Sequence, residues 1–337
     1  MKKYNQTVIG IVLFVLISWS ISSNSSFLLS SVDSTSAVRG NMSTINSAIN
    51  SSFPITNTVT DKVRVVASFY PIFEFVKQIG GDRVEVSSLI PIGIEPHDYE
   101  PTIQQIQNAE TADMLVINGA GFEEGWIKSI NAEFLLDTSV GLNLTDGQGE
   151  PTGDDEGNGG ALINPHIWLD PLLAKQQVEK IRVGLINIDP ANAAYYNENA
   201  KRFITELDNL DSSITSGLSN CEKRDFIAFH DAFSYFADRY GLTQHSIHGV
   251  SPEADVLPQR LQQIVILARD TGLDTIYSEE LVDPRFANVI AQEIPNGKVL
   301  VLSPIEGIDK EEQNAGVDYL DKMEENIENL KIGLKCN

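Results

Sequence analysis

Three of the five histidines in this 337-residue chain lie at or just beyond the end of an apolar segment. His97 stands in the turn "EPHDYEP", His166 stands in "NPHIWLDP", and His230 closes "DFIAFH". The gaps between them are 69 and 64 residues, whereas a structural zinc finger closes around its ion with gaps of a few residues. A single histidine beside a strand is usually an ordinary hydrogen-bonded residue. Three at equivalent positions favour a metal site that the tertiary fold assembles.

A carboxylate is expected to complete such a site, because Zn²⁺ binds imidazole nitrogen and carboxylate oxygen tetrahedrally. The candidates follow strands in the second half of the chain: Glu306 in "LSPIEG", and Glu279 or Glu280 in "YSEEL". The residues alone leave the choice among these three open. The remaining histidines, His245 and His248, have an odd spacing within one predicted strand and would face opposite sides. We interpret both as structural.

The elements that would position these residues alternate between strand and helix from residue 63 onward. Apolar segments such as "KVRVVASF" and "DMLVING" are followed by amphipathic segments such as "YPIFEFVKQIGG". This alternation is typical of βαβ units over a parallel sheet, and ligands bind at the carboxyl edge of such sheets. We therefore predict an α/β fold with two parallel-sheet lobes joined by one long helix.

The predicted order is an N-terminal metal-binding lobe over 63–187, a connecting helix over 188–219 and a C-terminal metal-binding lobe over 220–337. Apolar residues three or four positions apart indicate the connecting helix. Within the first lobe, residues 145–161 form an acidic, glycine-rich loop without an apolar anchor. Such a composition predicts a mobile loop.

The first 62 residues have the composition of a targeting segment followed by a linker. Lys2 and Lys3 precede the apolar run "VIGIVLFVLISWSI", which fits a secretory signal and is short of the about 20 residues that a spanning helix needs. We assign 1–30 to a signal peptide or N-terminal membrane anchor and 31–62 to a Ser/Thr/Asn-rich flexible linker. Cleavage and glycosylation stay open. The lobes are expected outside the cytoplasm, secreted or anchored to the outer face of the membrane.

The charge of the chain is strongly negative, with 24 basic and 47 acidic residues. Such a surface repels nucleic acid and anionic membrane and concentrates cations, so we expect no nucleic-acid partner and membrane contact only through the N-terminal segment. Solubility alone is the alternative explanation of this charge. The two cysteines, Cys221 and Cys336, belong to no C-x-x-C motif. They either pair outside the cytoplasm or remain free thiols.

Six motifs together point to one known family. They are "VVASFYPI", "PHDYEPT", "ADMLVINGAGFEEGW", "NPHIWLDP", "FIAFHDAFSYFADRYGL" and "GVSPEADVLPQRLQQI". With them, nearly everything from residue 63 onward resembles the cluster A-I zinc/manganese solute-binding proteins of ABC importers. The resemblance implies two Rossmann-like lobes, a rigid connecting helix and one divalent ion held between the lobes.

The resemblance also implies the ligands. His97, His166 and His230 match the family's first three ligand positions, and manganese-type members often have glutamate at the third. Many members place an aspartate ligand where this chain has Ser303, which is a departure. Glu306 lies in the Ser-Pro-x-Glu context that some members use and fits the fourth position. The loop before the second histidine is His-rich in the family's zinc members, but here it is acidic and has no histidine.

The function that the resemblance implies is extracytoplasmic capture of a divalent ion and its delivery to an ABC permease with its ATPase, without catalysis. Three imidazoles and one carboxylate favour Zn²⁺ over Mn²⁺, which prefers more oxygen ligands. We expect a monomer. The alternatives are a Mn²⁺-specific protein of the same importer type and an extracytoplasmic zinc metallohydrolase, whose ion must keep an open position for water. A third alternative is a cell-adhesion protein on a Ser/Thr/Asn-rich stalk.

Overall fold

The first of two parallel sheets organises the N-terminal half of the described chain. The computed structural model describes residues 62–147, 163–252 and 257–337. The strand order is β2-β1-β3-β4, all parallel. The central strand β3, "MLVI", is buried along its whole length, as expected where helices cover both faces of a parallel sheet. The elements are β1 (Val63–Ala67), α1 (Tyr70–Gly80), β2 (Val84–Ser88), α2 (Ile103–Thr111), β3 (Met114–Ile117) and β4 (Leu135–Asp137).

A second parallel sheet organises the C-terminal half in the same way. Its strand order is β6-β5-β7-β8. In both sheets, therefore, the first strand in the chain lies at an interior position and the second strand pairs on its outer side. The elements are β5 (Asp225–Ala228), α5 (Ser234–Tyr240), β6 (Thr243–Ser246), α6 (Pro258–Thr271), β7 (Thr275–Ser278), α7 (Arg285–Glu293), β8 (Lys298–Val301), α8 (Lys310–Ala315) and α9 (Tyr319–Leu334).

Two packed helices connect the sheets. Helix α3 (Pro171–Ile188) begins at Asp170, whose carboxylate accepts a hydrogen bond from the backbone N–H of Leu172 at 2.8 Å, and proline at its first position suits a helix start. Helix α4 (Ala193–Gly217) has 25 residues, about 38 Å at 1.5 Å per residue. Its apolar stripe contacts α1 of the first lobe and α9 of the second. One helix therefore supports both sheets.

The lobes are also joined through Trp168, which is fully buried. Its indole Nε1–H donates to the carbonyl of Pro304 at 2.7 Å, and its own carbonyl accepts from the Tyr319 hydroxyl at 2.6 Å. Both partners belong to the second lobe. The core is continuous across the junction, because buried residues of both sheets and of α4 belong to one hydrophobic cluster.

The structure confirms the predicted α/β fold with two parallel-sheet lobes and a long helix between them. The sequence patterns did not predict β4 or α8. Strand β4 has only three residues, of which Leu135 is exposed. It is therefore too short to show an alternation of apolar and polar residues. Helix α8, "KEEQNA", has no buried residue. It is defined by its ends, a capping box at Asp309 and a left-handed Gly316 with φ of 80°.

Two strand predictions in the second lobe were too long. Strand β5 ends at Ala228, so His230 follows the strand instead of closing it, and β6 ends at Ser246, so His248 lies outside it. Ala228 and Ser246 are the last paired residues of the ladder, although the backbone N–H groups of Ile247 and His248 still donate to the carbonyls of Ala228 and Phe229. The inference that His245 and His248 face opposite sides of one strand is therefore wrong. His245 pairs with Asp225 at 2.9 Å, and His248 packs on Phe229 with ring centroids 4.6 Å apart.

The two cysteines form a disulfide, Cys221–Cys336, which joins the segment after α4 to the C-terminus after α9. The predicted signal segment over 1–30, nearly all of the predicted linker over 31–62, and most of the acidic loop over 145–161 lie outside the described residues. The predicted domain boundaries stay predictions. Among the described residues, every helix is too short or too polar to cross a membrane.

Candidate metal centre

His97 is held in the loop between β2 and α2. The backbone N–H of His97 donates to the Glu95 carboxylate at 3.0 Å, so the side chain two residues earlier fixes the turn. Pro96 between them is buried. The side chain of His97 is 8% exposed. It packs edge-on against Phe122 with ring centroids 5.1 Å apart, which directs its Nε2 toward the junction of the lobes.

His166 precedes α3 by one short turn and is fully buried. The Asn164 amide oxygen accepts from the His166 backbone N–H at 3.0 Å and from its ring Nδ1 at 2.8 Å. The amide nitrogen of Asn164 donates to the carbonyl of Asp231 at 2.7 Å, which orients the amide. The hydrogen bond to Nδ1 leaves Nε2 of His166 as the nitrogen with a free lone pair.

His230 lies two residues after β5 and is fully buried. Its ring Nδ1 lies 2.7 Å from Oε1 of Glu279, which also accepts from the His230 backbone N–H at 3.2 Å. Glu279 directly follows β7, the neighbour of β5 in the sheet. An anionic acceptor on Nδ1 fixes the ring and increases the basicity of Nε2, as carboxylate partners do for zinc-bound histidines.

Glu306 follows β8 by five residues and is 4% exposed. The segment that carries it turns back toward the first lobe at Ile305, which has a φ of 57°. This left-handed conformation is uncommon for a β-branched residue, and the fully buried Ile305 side chain holds it in place. The Pro304 carbonyl is bound by Trp168 of the first lobe. The turn therefore carries the Glu306 carboxylate across the junction.

Four donor atoms from both lobes converge on one point. The Nε2 atoms of His97, His166 and His230 lie 3.0, 3.1 and 3.4 Å from Oε1 of Glu306. His166 Nε2 lies 3.3 Å from that of His97 and 3.0 Å from that of His230. Donors at Zn–N distances of 2.0–2.1 Å in a tetrahedron are about 3.3 Å apart. The cluster therefore has the size and donor types of a four-coordinate zinc site.

The charges in the cluster are arranged for a cation. Burial lowers the pKa of His166 to about 3, which keeps that ligand neutral. Burial alone would raise the pKa of Glu306, but His97 and His230 outweigh it and hold the pKa well below its usual value. Burial would likewise lower the pKa of His230, but the carboxylates of Glu279 and Glu306 raise it well above its usual value.

The three predicted histidines and Glu306 are the residues that the fold brings together, with ligand atoms within 4.8 Å of one another. Glu279 and Glu280 lie outside this set. Glu279 stands on the far side of the His230 ring, and Glu280 accepts from the Ser303 hydroxyl and lies 3.4 Å from Lys322. Ser303 is thus engaged away from the cluster. The assignment of the four side chains as metal ligands stays a prediction.

Sequence reasoning missed the residues that orient the histidines. Asn164 and Glu279 were not recognised in that role, although Asn164 lies two residues before His166, and Glu279 was considered only as a ligand. Glu95 is half-buried and, as a residue that flanks His97 in the sequence, accepts from the His97 backbone N–H. Burial, followed by the charge of Glu306, raises its pKa to about 9. For Glu279 the available signal was position, because Glu279 and His230 follow neighbouring strands of one sheet and therefore share its carboxyl edge.

Comparison with known proteins identifies a family for most of the chain. The family model described as zinc-uptake complex component A, periplasmic (ZnuA), matches residues 65–333. The high-affinity zinc uptake system protein ZnuA of Bacillus subtilis (strain 168) is 36% identical over 307 residues, covering 88% of this chain and 93% of that protein.

Two further relatives extend the comparison. The zinc-binding protein AdcA of Streptococcus pyogenes serotype M18 is 34% identical over 293 residues. The match covers 80% of this chain, which spans only 56% of AdcA. Among solved structures, the laminin-binding protein Lmb of Streptococcus agalactiae, described as bifunctional with adhesin and metal-transporting activity, superposes with a TM-score of 0.72 at 29% identity. That superposition covers 81% of this chain and 99% of Lmb.

Proposed function

The chain belongs to the family of periplasmic zinc-uptake complex component A proteins, and from this premise we propose that it captures Zn²⁺ outside the cytoplasm and delivers it to an importer. In this proposal His97, His166, His230 and Glu306 are the four ligands. The zinc ion is cargo and not a resident cofactor.

The observation that carries the proposal is the convergence of three imidazole nitrogens and one carboxylate oxygen from two lobes. Two ligands come from loops of each lobe, so a bound ion links the two lobes. A site divided in this way suits a protein that must bind tightly and later release. Movement of one lobe relative to the other removes half of the coordination at once.

The donor set supports zinc over manganese. Zinc accepts four ligands of mixed nitrogen and oxygen type, whereas Mn²⁺ favours carboxylate, carbonyl and water oxygens in a larger coordination shell. Three of the four donors here are imidazoles, and His166 and His230 are fully buried, which leaves little room for added waters. Glu279 increases the basicity of the third imidazole, which further favours a metal that binds nitrogen strongly.

We further propose that the protein acts by binding alone and catalyses nothing. A catalytic zinc retains three protein ligands and an open position for water. Here the Glu306 carboxylate occupies the fourth vertex, with a side chain that is 1% exposed. The metallohydrolase alternative would need a substrate-accessible position on the ion, and the burial of the donors argues against one.

The partners and location of the proposed function follow from membership in an uptake complex. We propose that an ABC permease with its ATPase receives the ion and that the N-terminal segment brings the protein to the outer face of the membrane. We also propose that the protein works as a monomer, because a single chain supplies all four donor atoms.

Isothermal titration of metal-free protein with Zn²⁺ and Mn²⁺ tests the function. The proposal predicts one tight zinc site per chain, weak manganese binding, and loss of tight zinc binding in His97→Ala, His230→Ala and Glu306→Ala. His245→Ala is the matched control, because this histidine pairs with Asp225 outside the cluster and should leave binding unchanged. Absence of stoichiometric zinc, or retention of tight binding in the three cluster variants, would overturn the proposal.

A further inference from the structure

The fourth proposed ligand depends on a short segment that follows β8. The last bond of the ladder runs from the backbone N–H of Leu302 to the carbonyl of Ser278 at 2.9 Å. Glu306 lies four residues after Leu302, and between them Ile305 has the left-handed φ of 57°. A conformation so sparsely populated persists only where the surrounding structure over-determines it. The contacts that hold this segment therefore decide where the Glu306 carboxylate lies.

The backbone of Ser303 is held at both of its polar groups by one side chain of α9. The Asn326 amide oxygen accepts from the Ser303 N–H at 2.7 Å, and the amide nitrogen donates to the Ser303 carbonyl at 2.7 Å. An amide carries the acceptor and the donor that this pairing needs, whereas a carboxylate would lack the donor. Ser303 and Asn326 are 1% and 3% exposed, so water does not replace these bonds when they are lost.

The Ser303 side chain fixes the residues that follow. Its hydroxyl oxygen accepts from the backbone N–H of Ile305 at 3.1 Å, a serine turn in which the side chain bonds the backbone two residues on. The hydroxyl hydrogen is donated to the Glu280 carboxylate, which leaves the lone pairs of the oxygen for Ile305. Glu280 itself lies 3.4 Å from Nζ of Lys322. An ion pair thus orients the hydroxyl that shapes the turn.

One face of α9 supplies this support. Tyr319, Lys322 and Asn326 are spaced by three and four positions, so they lie on the same side of the helix. All three are buried, although the last two are polar. The Tyr319 hydroxyl donates to the Trp168 carbonyl at 2.6 Å, and the Trp168 indole donates to the carbonyl of Pro304. The helix therefore holds the turn directly through the asparagine and indirectly through the other two residues.

We propose that Ser303 and Asn326 are positioning residues for zinc capture, because they fix the turn that places the Glu306 carboxylate among the three histidine nitrogens. The inference rests on the proposed function and adds the residues that fix its fourth ligand. Neither side chain belongs to the converging donor set, so both act on the ion through Glu306. Loss of either should leave the three imidazoles in place and let the carboxylate move away from the ion.

Competition for zinc between the full chain and a chelator of known affinity tests this assignment. Ser303→Ala removes the hydroxyl that bonds Ile305, and Asn326→Ala removes both bonds to the Ser303 backbone. Each should weaken zinc binding about tenfold, at the lower end of the effect of residues that orient metal ligands. Asn329→Ala is the matched control, because its amide on the same helix donates to the Val301 carbonyl at 2.9 Å, before the turn. Its zinc affinity should equal that of wild type.

A second set of variants separates positioning from general damage to the fold. In Glu306→Ala the ligand itself is absent, so adding Ser303→Ala or Asn326→Ala should weaken zinc binding no further. Ser303→Ala removes a single oxygen and serves if Asn326→Ala fails to fold. Wild-type affinity in the two single variants, or an equal loss in the Glu306→Ala background, would overturn the positioning role. Failure of the wild-type chain to bind zinc, or unchanged affinity in Glu306→Ala, would instead overturn the proposed function.

Discussion

Replacing Glu279 by glutamine tests how the fold tunes the third proposed ligand. The carboxylate lies 2.7 Å from His230 Nδ1, and both residues are buried. Glutamine can still accept this hydrogen bond through its amide oxygen but removes the negative charge. The variant should therefore retain the ring orientation and lose the added basicity of Nε2.

The expected loss of zinc affinity in Glu279→Gln follows from the type of contact that is removed. Loss of a partner that orients a metal-bound histidine weakens metal binding about 10- to 100-fold, which corresponds to about 1.4–2.7 kcal/mol. The matched control is Asp225→Asn, which removes the charge from a carboxylate paired with His245 at 2.9 Å, away from the cluster. Zinc affinity is measured by competition with a chelator of known affinity at fixed pH and salt.

The pH dependence of zinc affinity gives a second readout, which loss of packing alone would not change. The Glu279 and Glu306 carboxylates outweigh burial and raise the pKa of His230 in the metal-free protein, so zinc must displace a proton over a wide pH range. Without the Glu279 charge this pKa falls, and proton release should end at a lower pH than in wild type. The affinity difference should accordingly grow as pH rises. Wild-type zinc affinity in Glu279→Gln, or a loss equal to that of Asp225→Asn, would contradict the proposed role of the Glu279 charge.

Three further perturbations test the framework that holds the site. Replacing Cys221 and Cys336 by serine opens a link between residues 115 positions apart, and guanidinium unfolding should show a loss of about 2–5 kcal/mol; a loss too small to measure would contradict this. Burial raises the pKa of Glu123 to about 7, above its value of about 4.3 in an unfolded chain. Its contribution to stability is therefore full below the unfolded pKa and is lost as pH rises through about 7; thermal unfolding should show this decline in wild type but not in Glu123→Gln. Trp168→Phe removes the indole hydrogen bond to the Pro304 carbonyl, and unfolding should show a loss of about 1–3 kcal/mol from the unsatisfied buried carbonyl; unchanged stability would contradict the role of this contact.

Much of the architecture was predictable because the strands are strongly apolar and separated by helical segments with clear ends. Strand β3 has four buried residues in succession, and α3 carries both an Asp cap and a proline at its start. Local signals of this kind can be recognised in the sequence without knowledge of the tertiary fold. Strand β4 and helix α8 lack them, since one has three residues and the other buries none.

The histidines were predictable from the positions of the strands, whereas the choice of carboxylate depended on the family resemblance. His97 follows a strand of the first sheet and His230 follows a strand of the second, so the alternation of elements placed each of them at the carboxyl edge of its sheet, where ligands bind. Glu279 and Glu306 both follow strands of the second sheet, so the strand pattern alone left the choice open and only the family resemblance favoured Glu306. The difference is the left-handed turn at Ile305, which sends one carboxylate across the junction, whereas the other stays beside β7 behind His230. That turn depends on tertiary packing and not on a local propensity.

X-ray absorption spectroscopy at the zinc edge, on metal-free protein loaded with one equivalent of Zn²⁺, measures which side chains bind the ion. We predict a four-coordinate ion with three imidazoles at about 2.0–2.1 Å and one carboxylate oxygen. The Glu306→Ala variant should lose the carboxylate, and His245→Ala should give the wild-type spectrum. A spectrum with fewer than three imidazoles, with a six-oxygen shell, or unchanged in Glu306→Ala would contradict the proposed site.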